Sequence, residues 1–249
     1  MAAITAHRSR RILLVDAVAW STAYPAVSPY REVHRWYARW LADLPTVSLE
    51  RVGAEDDPVG AAQGDFDGVV VSGSPRDAWS DDPVNHTLMD LVRVCEQRAL
   101  PFLGVCYGHQ ILARAWGGTV ARHPGGLELG NTPVTLTDAG RACALFEGIP
   151  ARFDVLSSHA DTVLQLPPDA ELLVEGAFTR CQGFRRGTRQ FGVQFHPETD
   201  PDTLRFLWSV RRDLWRPQVS FDLDARLDGM QPTPIAAGIL RNFATHVVA

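Results

Sequence analysis

The chain has 249 residues, 45% hydrophobic and 21% charged, with 24 Lys and Arg against 29 Asp and Glu. That is ordinary globular composition, which excludes a disordered, collagen-like or strongly charged chain. At a net charge of −5 there is no global attraction for phosphate backbones, so nucleic acid is not an expected partner.

The basic cluster His7-Arg8-Ser9-Arg10-Arg11 reads as a solvated start of the chain. Ile12-Leu13-Leu14-Val15-Asp16 is a continuous apolar run, which suits a strand buried on both faces. After a Pro-containing loop, Glu32 to Leu44 reads as a helix with Val33, Trp36, Tyr37, Trp40 and Leu41 at helical spacing. That aromatic face suits core packing and equally a homodimer surface. Val47 to Val52 is a second strand, and Asp67 to Val71 a third, closed by the turn Ser72-Gly73-Ser74-Pro75. His86 to Arg98 reads as a helix. Pro101 to Val105 is a buried strand that runs straight into Cys106-Tyr107-Gly108-His109-Gln110 and a helix through Trp116, ended by Gly117-Gly118. Thr119 to Thr137 reads as β-rich, Phe153 to Leu156 and Glu171 to Val174 as strands, and Gln182 to Phe184 with Gln190 to Phe195 as a hairpin. Pro201 to Trp215 is predicted as one helix, Pro217 to Pro234 as irregular, and Ile235 to Val248 as a final helix. Strands that alternate with helices and then bunch predict one α/β domain over residues 1–249 with a mostly parallel central sheet.

No run of 18 apolar residues occurs, so no membrane span is expected. The N-terminus lacks the pattern of a secretory signal. Cys95, Cys106, Cys143 and Cys181 are widely spread with no C-x-x-C pair, which reads as the reduced thiols of a cytoplasmic protein.

Three segments carry chemistry. In Gly104-Val105-Cys106-Tyr107-Gly108 a cysteine stands at a strand-to-helix turn with glycines two before and two after, which has the logic of a nucleophile elbow. A helix N-terminus there favours the thiolate. In Gln194-Phe195-His196-Pro197-Glu198 a histidine follows a strand, and spacing of two with Pro197 between keeps Glu198 on its side of the chain. A carboxylate beside an imidazole fixes its tautomer and stabilises its charged form. The Ser72-Gly73-Ser74-Pro75 turn can aim a backbone N–H at an oxyanion, with the N–H of Tyr107 as a second donor.

Together these segments resemble the class I glutamine amidotransferases, through the G-x-C-x-G-x-Q core, the downstream H-P-E and the upstream S-G-x-P loop. The resemblance runs from about Ile12 to Glu198. It implies a three-layer α/β/α, flavodoxin-like glutaminase fold with a small antiparallel portion, its core about 10–215 and a C-terminal extension over 216–249. It maps the nucleophile, the histidine–glutamate pair and the oxyanion donors onto Cys106, His196, Glu198, Gly73 and Tyr107. Ser157-Ser158-His159-Ala160-Asp161-Thr162-Val163 resembles the S-H-x-D-x-V stretch of the glutaminase half of GMP synthases, which implies substrate contacts from Ser158 and His159, with Gln110 from the nucleophile motif. His159 is equally readable as a satisfied structural histidine, and His109 reads as structural. The loop after Gly73, with Asp77 and Asp81-Asp82, also resembles γ-glutamyl peptidases.

The implied chemistry is hydrolysis of a small-molecule γ-glutamyl amide through a thioester, and it calls for no metal or organic cofactor. Cys106 and His109 alone offer only two metal ligands. The chain shows neither a G-x-x-x-x-G-K-[ST] nor an S-G-G-x-D-S loop, so GMP synthesis by this chain alone is not expected. Three functions follow: a stand-alone γ-glutamyl hydrolase, a glutaminase subunit feeding ammonia to a separate synthase, or a non-catalytic binding protein on the same scaffold. The stretch from Trp215 to Pro234 reads as a packed tail or as a lid.

Overall fold

A computed structural model describes residues 9–20, 22–44 and 46–248; His7 and Arg8 of the basic cluster lie outside the described residues. In chain order, β1 (Arg10–Asp16), α1 (Val33–Leu41), β2 (Val47–Gly53), α2 (Pro58–Ala61), β3 (Gly68–Val71), α3 (Pro83–Gln97), β4 (Phe102–Val105) and α4 (Tyr107–Ala115) form the first half. β5 (Thr119–Arg122), β6 (Glu128–Leu136), α5 (Asp138–Arg141), β7 (Arg152–His159), β8 (Asp161–Gln165), β9 (Ala170–Gly176), β10 (Gly183–Arg186) and β11 (Gln190–Val193) follow. The chain closes with α6 (Pro201–Trp208), α7 (Arg212–Trp215), α8 (Leu223–Asp228) and α9 (Pro234–Asn242).

The large sheet runs β2-β1-β3-β4-β11-β10-β9-β6-β7, and β5 pairs with β8 in a separate antiparallel ribbon. From β2 to β11 every pairing is parallel. Beyond β11 every pairing is antiparallel. The α/β architecture expected from the sequence is therefore present, with its parallel strands in one half of the sheet, from the β2 edge to β11.

Alternation along β1 explains why its sequence is apolar throughout. Ile12 and Leu14 enter one core, with residues of α1 and α9, while Leu13 and Val15 enter the opposite core, with residues of α3 and α4. A strand covered on both faces has no polar side to show. A third cluster, built from Leu129, Leu156, Leu204, Trp208, Leu223 and Leu227, seats α6 and α8 against β6 and β7.

The register brings three strand ends to one place. Gly104 pairs with Val71 and Gly192, and Val105 with Val193. Ser72-Gly73, Cys106 and Gln194-Phe195-His196 therefore leave the sheet side by side at its C-terminal edge, where sites form in open parallel sheets.

Several element expectations need correction. The helix expected over 201–215 is two: it stops at Trp208, where the Ser209 hydroxyl bonds back to the Phe206 carbonyl at 2.7 Å and so competes with the helical ladder. The stretch expected to be irregular contains α8, capped by the Asp222 carboxylate on the Ala225 N–H, with Leu223 and Leu227 buried. That segment packs on the body of the fold: Arg226 bonds the Leu129 carbonyl, and Arg205 bonds the Leu227 carbonyl. The helix expected from His86 starts at Pro83, capped by Asp82. The final helix ends at Asn242 and gives way to a π-helical turn over Phe243–Val247. Trp36 and Tyr37 of α1 are 5% and 1% exposed and so are interior, while Trp40 is half-buried. Asp161–Gln165, read only as part of a motif, is the strand β8. Among the described residues no helix is long and apolar enough to cross a membrane.

Candidate active site

Cys106 sits between β4 and α4 at φ 51° and ψ −98°, a left-handed conformation that residues with side chains seldom adopt. Its N–H bonds the Val193 carbonyl at 2.8 Å, and its carbonyl accepts from the Gln110 N–H at 3.1 Å. The flanking glycines permit this turn. A Cβ on Gly104 would lie 2.3 Å from the Gly108 carbonyl, and one on Gly108 would lie 2.5 Å from the Val71 carbonyl oxygen. Tyr107 opens α4, so its N–H is among those with no partner in the helix's own ladder. The Tyr107 hydroxyl is tied to Asn85 of α3.

His196 is brought against Cys106. Its N–H bonds the Leu156 carbonyl at 2.9 Å, and its Nδ1 meets Glu198 Oε1 at 2.8 Å. That leaves Nε2 unclaimed by Glu198, in the same cleft as the Cys106 side chain. Burial drives the proton off His196, but the Glu198 carboxylate first and the Cys106 sulfur second outweigh it, so its pKa stands well above 6.5. Glu198 is 1% exposed, and α1 holds its backbone: Arg39 and Trp40 both donate to the Glu198 carbonyl, at 2.7 and 3.1 Å. Arg39 also pairs with Asp200. Gly73 completes the cluster; a Cβ there would lie 3.0 Å from His196 Cε1 and 3.6 Å from Cys106 Cβ.

The three residues expected to touch substrate line the cleft beside Cys106. The Gln110 amide donates to the Asp161 carbonyl at 2.9 Å and to Gln194 Oε1 at 3.1 Å. The Ser158 hydroxyl accepts from Trp208 Nε1 at 2.9 Å. Both His159 ring nitrogens are engaged, one with Glu128 Oε2 and one with the Asp161 carbonyl, each at 2.9 Å. Burial raises the Glu128 carboxyl, but the hydrogen bond and charge of His159 more than reverse that and hold it below its usual range. His109 is fully buried, and burial pushes it down to about 3.

Sequence reasoning passed over Gln194, whose amide donates to Cys106 Sγ at 3.6 Å. It also passed over Arg39, Trp40, Trp208 and Arg211, which reach the site from α1 and from the α6–α7 turn. Only Gln194 carries a local signal, two residues before the histidine. Among the described residues no three His, Cys, Asp or Glu side chains converge as a metal site.

The family model described as Glutamine amidotransferase class-I matches residues 30–205, more than half of the chain. The chain belongs to this family. Among curated relatives, the chain is 39% identical over 161 residues to a GMP synthase [glutamine-hydrolyzing] of Aeropyrum pernix, a match covering 65% of the chain and 30% of the relative. It is 36% identical over 141 residues to gamma-glutamyl peptidase 5 of Arabidopsis thaliana, covering 56% of each. The chain thus spans less than two thirds of the length of either relative. Among solved structures, a glutamine amidotransferase from Thermotoga maritima shares the fold at a TM-score of 0.75 and 22% identity, over 97% of this chain and 99% of the other. A glutamine amidotransferase from Methylobacillus flagellatus shares it at a TM-score of 0.72 and 20% identity, over 97% of this chain and 93% of the other.

Proposed function

We propose that the chain is a cysteine-dependent hydrolase of γ-glutamyl amides. The observation that carries this reading is the meeting of Cys106, His196 and Glu198 at adjoining strand ends, with the His196–Glu198 contact at 2.8 Å. His196 holds the Cys106 proton as a thiolate–imidazolium pair, Nε2 toward the sulfur, and Glu198 stabilises the imidazolium. The sulfur attacks the γ-carbonyl carbon, and the N–H groups of Gly73 and Tyr107 hold the resulting oxyanion. As the tetrahedral species collapses, the C–N bond breaks and His196 protonates the departing amine. Water, deprotonated by His196, then adds to the thioester; glutamate leaves and the thiolate–imidazolium pair is restored.

The other thiols do not compete: burial pushes Cys95 and Cys181 up to about 12 and raises Cys143 as well. Purified protein, offered L-glutamine, γ-glutamyl amines and γ-glutamyl dipeptides, is expected to release glutamate, and Cys106→Ala to release none. Cys106-independent release would overturn the proposal. A second reading, a glutaminase subunit that delivers ammonia to a separate synthase, is favoured by the likeness to GMP synthases. It predicts slow turnover alone, with Cys106 still labelled by a glutamine-derived electrophile and activity rising when the synthase is added.

A further inference from the structure

Cys106 opens onto two adjoining clefts of different chemistry. One is polar, lined by Gln110, Ser158, His159, Asp161 and Arg122. The other holds His196 and Glu198 and is walled by Val18, Trp36, Leu204 and Leu207. On the hydrolase reading, on which this inference rests, the amine departs on the side where His196 can protonate it. The apolar cleft is then the leaving-group side. Its wall is apolar, a surface that ammonia does not need.

Arg211 lines both clefts. Its backbone is fixed from both sides, by its N–H on the Trp208 carbonyl at 3.0 Å and by the Trp215 N–H on its own carbonyl at 3.1 Å. The other two arginines at the polar cleft are neutralised. Arg76 pairs with Asp82 at 2.8 Å and with Glu55, and Arg122 pairs with Asp161 at 3.2 Å and Asp77 at 3.5 Å. The guanidinium of Arg211 has no ion pair or side-chain hydrogen bond among the described residues. In the apolar cleft the acidic side chain is Glu198, already bound to His196. A half-buried, unpaired guanidinium beside an apolar wall fits a molecule with an apolar body and a carboxylate.

We propose that Arg211 selects the leaving group: an amino acid or peptide with an apolar side chain, whose free carboxylate it binds. The substrate class is then a γ-glutamyl peptide, with ammonia and simple amines as poorer leaving partners.

The test compares γ-glutamyl-leucine with γ-glutamyl-leucinamide, which differ only in that carboxylate, and uses γ-glutamyl-p-nitroanilide to report the hydrolase itself. Wild type is expected to favour the acid in kcat/KM by about ten- to a hundred-fold, the range of one charge-assisted contact. In Arg211→Met that ratio should collapse toward one, mainly through KM. In Arg211→Lys, which keeps the charge and loses the fork, it should be kept in part. A wild-type ratio near one overturns the inference alone. So does a ratio unchanged in Arg211→Met, because an arginine that read the γ-glutamyl end, or merely braced the fold, would lower both substrates together. No Cys106-dependent turnover of any of the three compounds overturns the hydrolase reading, and the inference with it.

Discussion

Cys106 is held in a conformation that costs about 1–3 kcal/mol for a residue with a side chain. What it gains is direction: at the edge of the core it shares with Val105, the Cys106 side chain also faces the cleft that holds His196 and Glu198. The neighbouring charges then set the proton. Burial acting alone would leave His196 neutral; Glu198, with help from Cys106, keeps its pKa well above 6.5. A group whose pKa is raised by a partner loses that shift when the partner's charge is removed. In Glu198→Gln, His196 is therefore expected to give up its proton at lower pH. The alkaline limb of the kcat/KM profile should move to lower pH, and turnover should fall about 10²–10⁴-fold, the usual range for a mispositioned acid–base group. An alkaline limb that stays in place would remove Glu198 from the charge balance. The fall in turnover alone would not decide it, since a structural defect lowers turnover too.

The strand–turn–helix unit from β4 to α4 depends on backbone packed against backbone. At Gly104 the obstacle to a side chain is Gly108, and at Gly108 it is the Val71 carbonyl oxygen of β3. Neither obstacle is a flexible side chain that can swing aside. Gly108→Ala is therefore expected to lower stability by about 1–3 kcal/mol, the cost of overpacking, seen as a lower denaturation midpoint with an unchanged slope. An unchanged midpoint would mean that β3 and α4 can separate freely, against the steric account of the motif. The same crowding explains why this part of the site is legible in the sequence: Gly104, Cys106 and Gly108 answer to one local constraint. His196 and Glu198 are legible for a similar reason, as two residues spanning one proline. Arg39, Trp40 and Arg211 carry no such mark. They reach the site only because α1 and the α6–α7 turn are folded over it, and their spacing from Cys106 along the chain says nothing of that.

Across the whole molecule, the strands of the parallel half are readable because burial on both faces leaves a continuous apolar run, as in Leu13-Leu14-Val15. The C-terminal helices are less so. They bury one narrow stripe against a satellite cluster, and in α8 the stripe is only Leu223 and Leu227. His109 ties the fold to pH. It is fully buried, with Phe184 at 5.0 Å between rings and Cys181 Sγ at 4.0 Å, and burial depresses its pKa from 6.5 to about 3. Between those two values the unfolded chain binds a proton at this residue and the folded chain does not. Stability must therefore fall as pH falls through that window, by about 1.4 kcal/mol per pH unit from this residue alone. Glu128 and Asp200, whose carboxyls are held below their usual range, add losses of the same sign at the acid end. Urea unfolding of wild type and His109→Gln across about pH 7.5 to 4 separates the contributions, because the carboxylates are common to both. The stability difference between the two proteins is expected to shift steadily toward the variant as pH falls below about 6.5. A difference that stays constant with pH would mean that His109 takes up its proton inside the folded protein, and that α4 and β11 open around it well before the molecule unfolds.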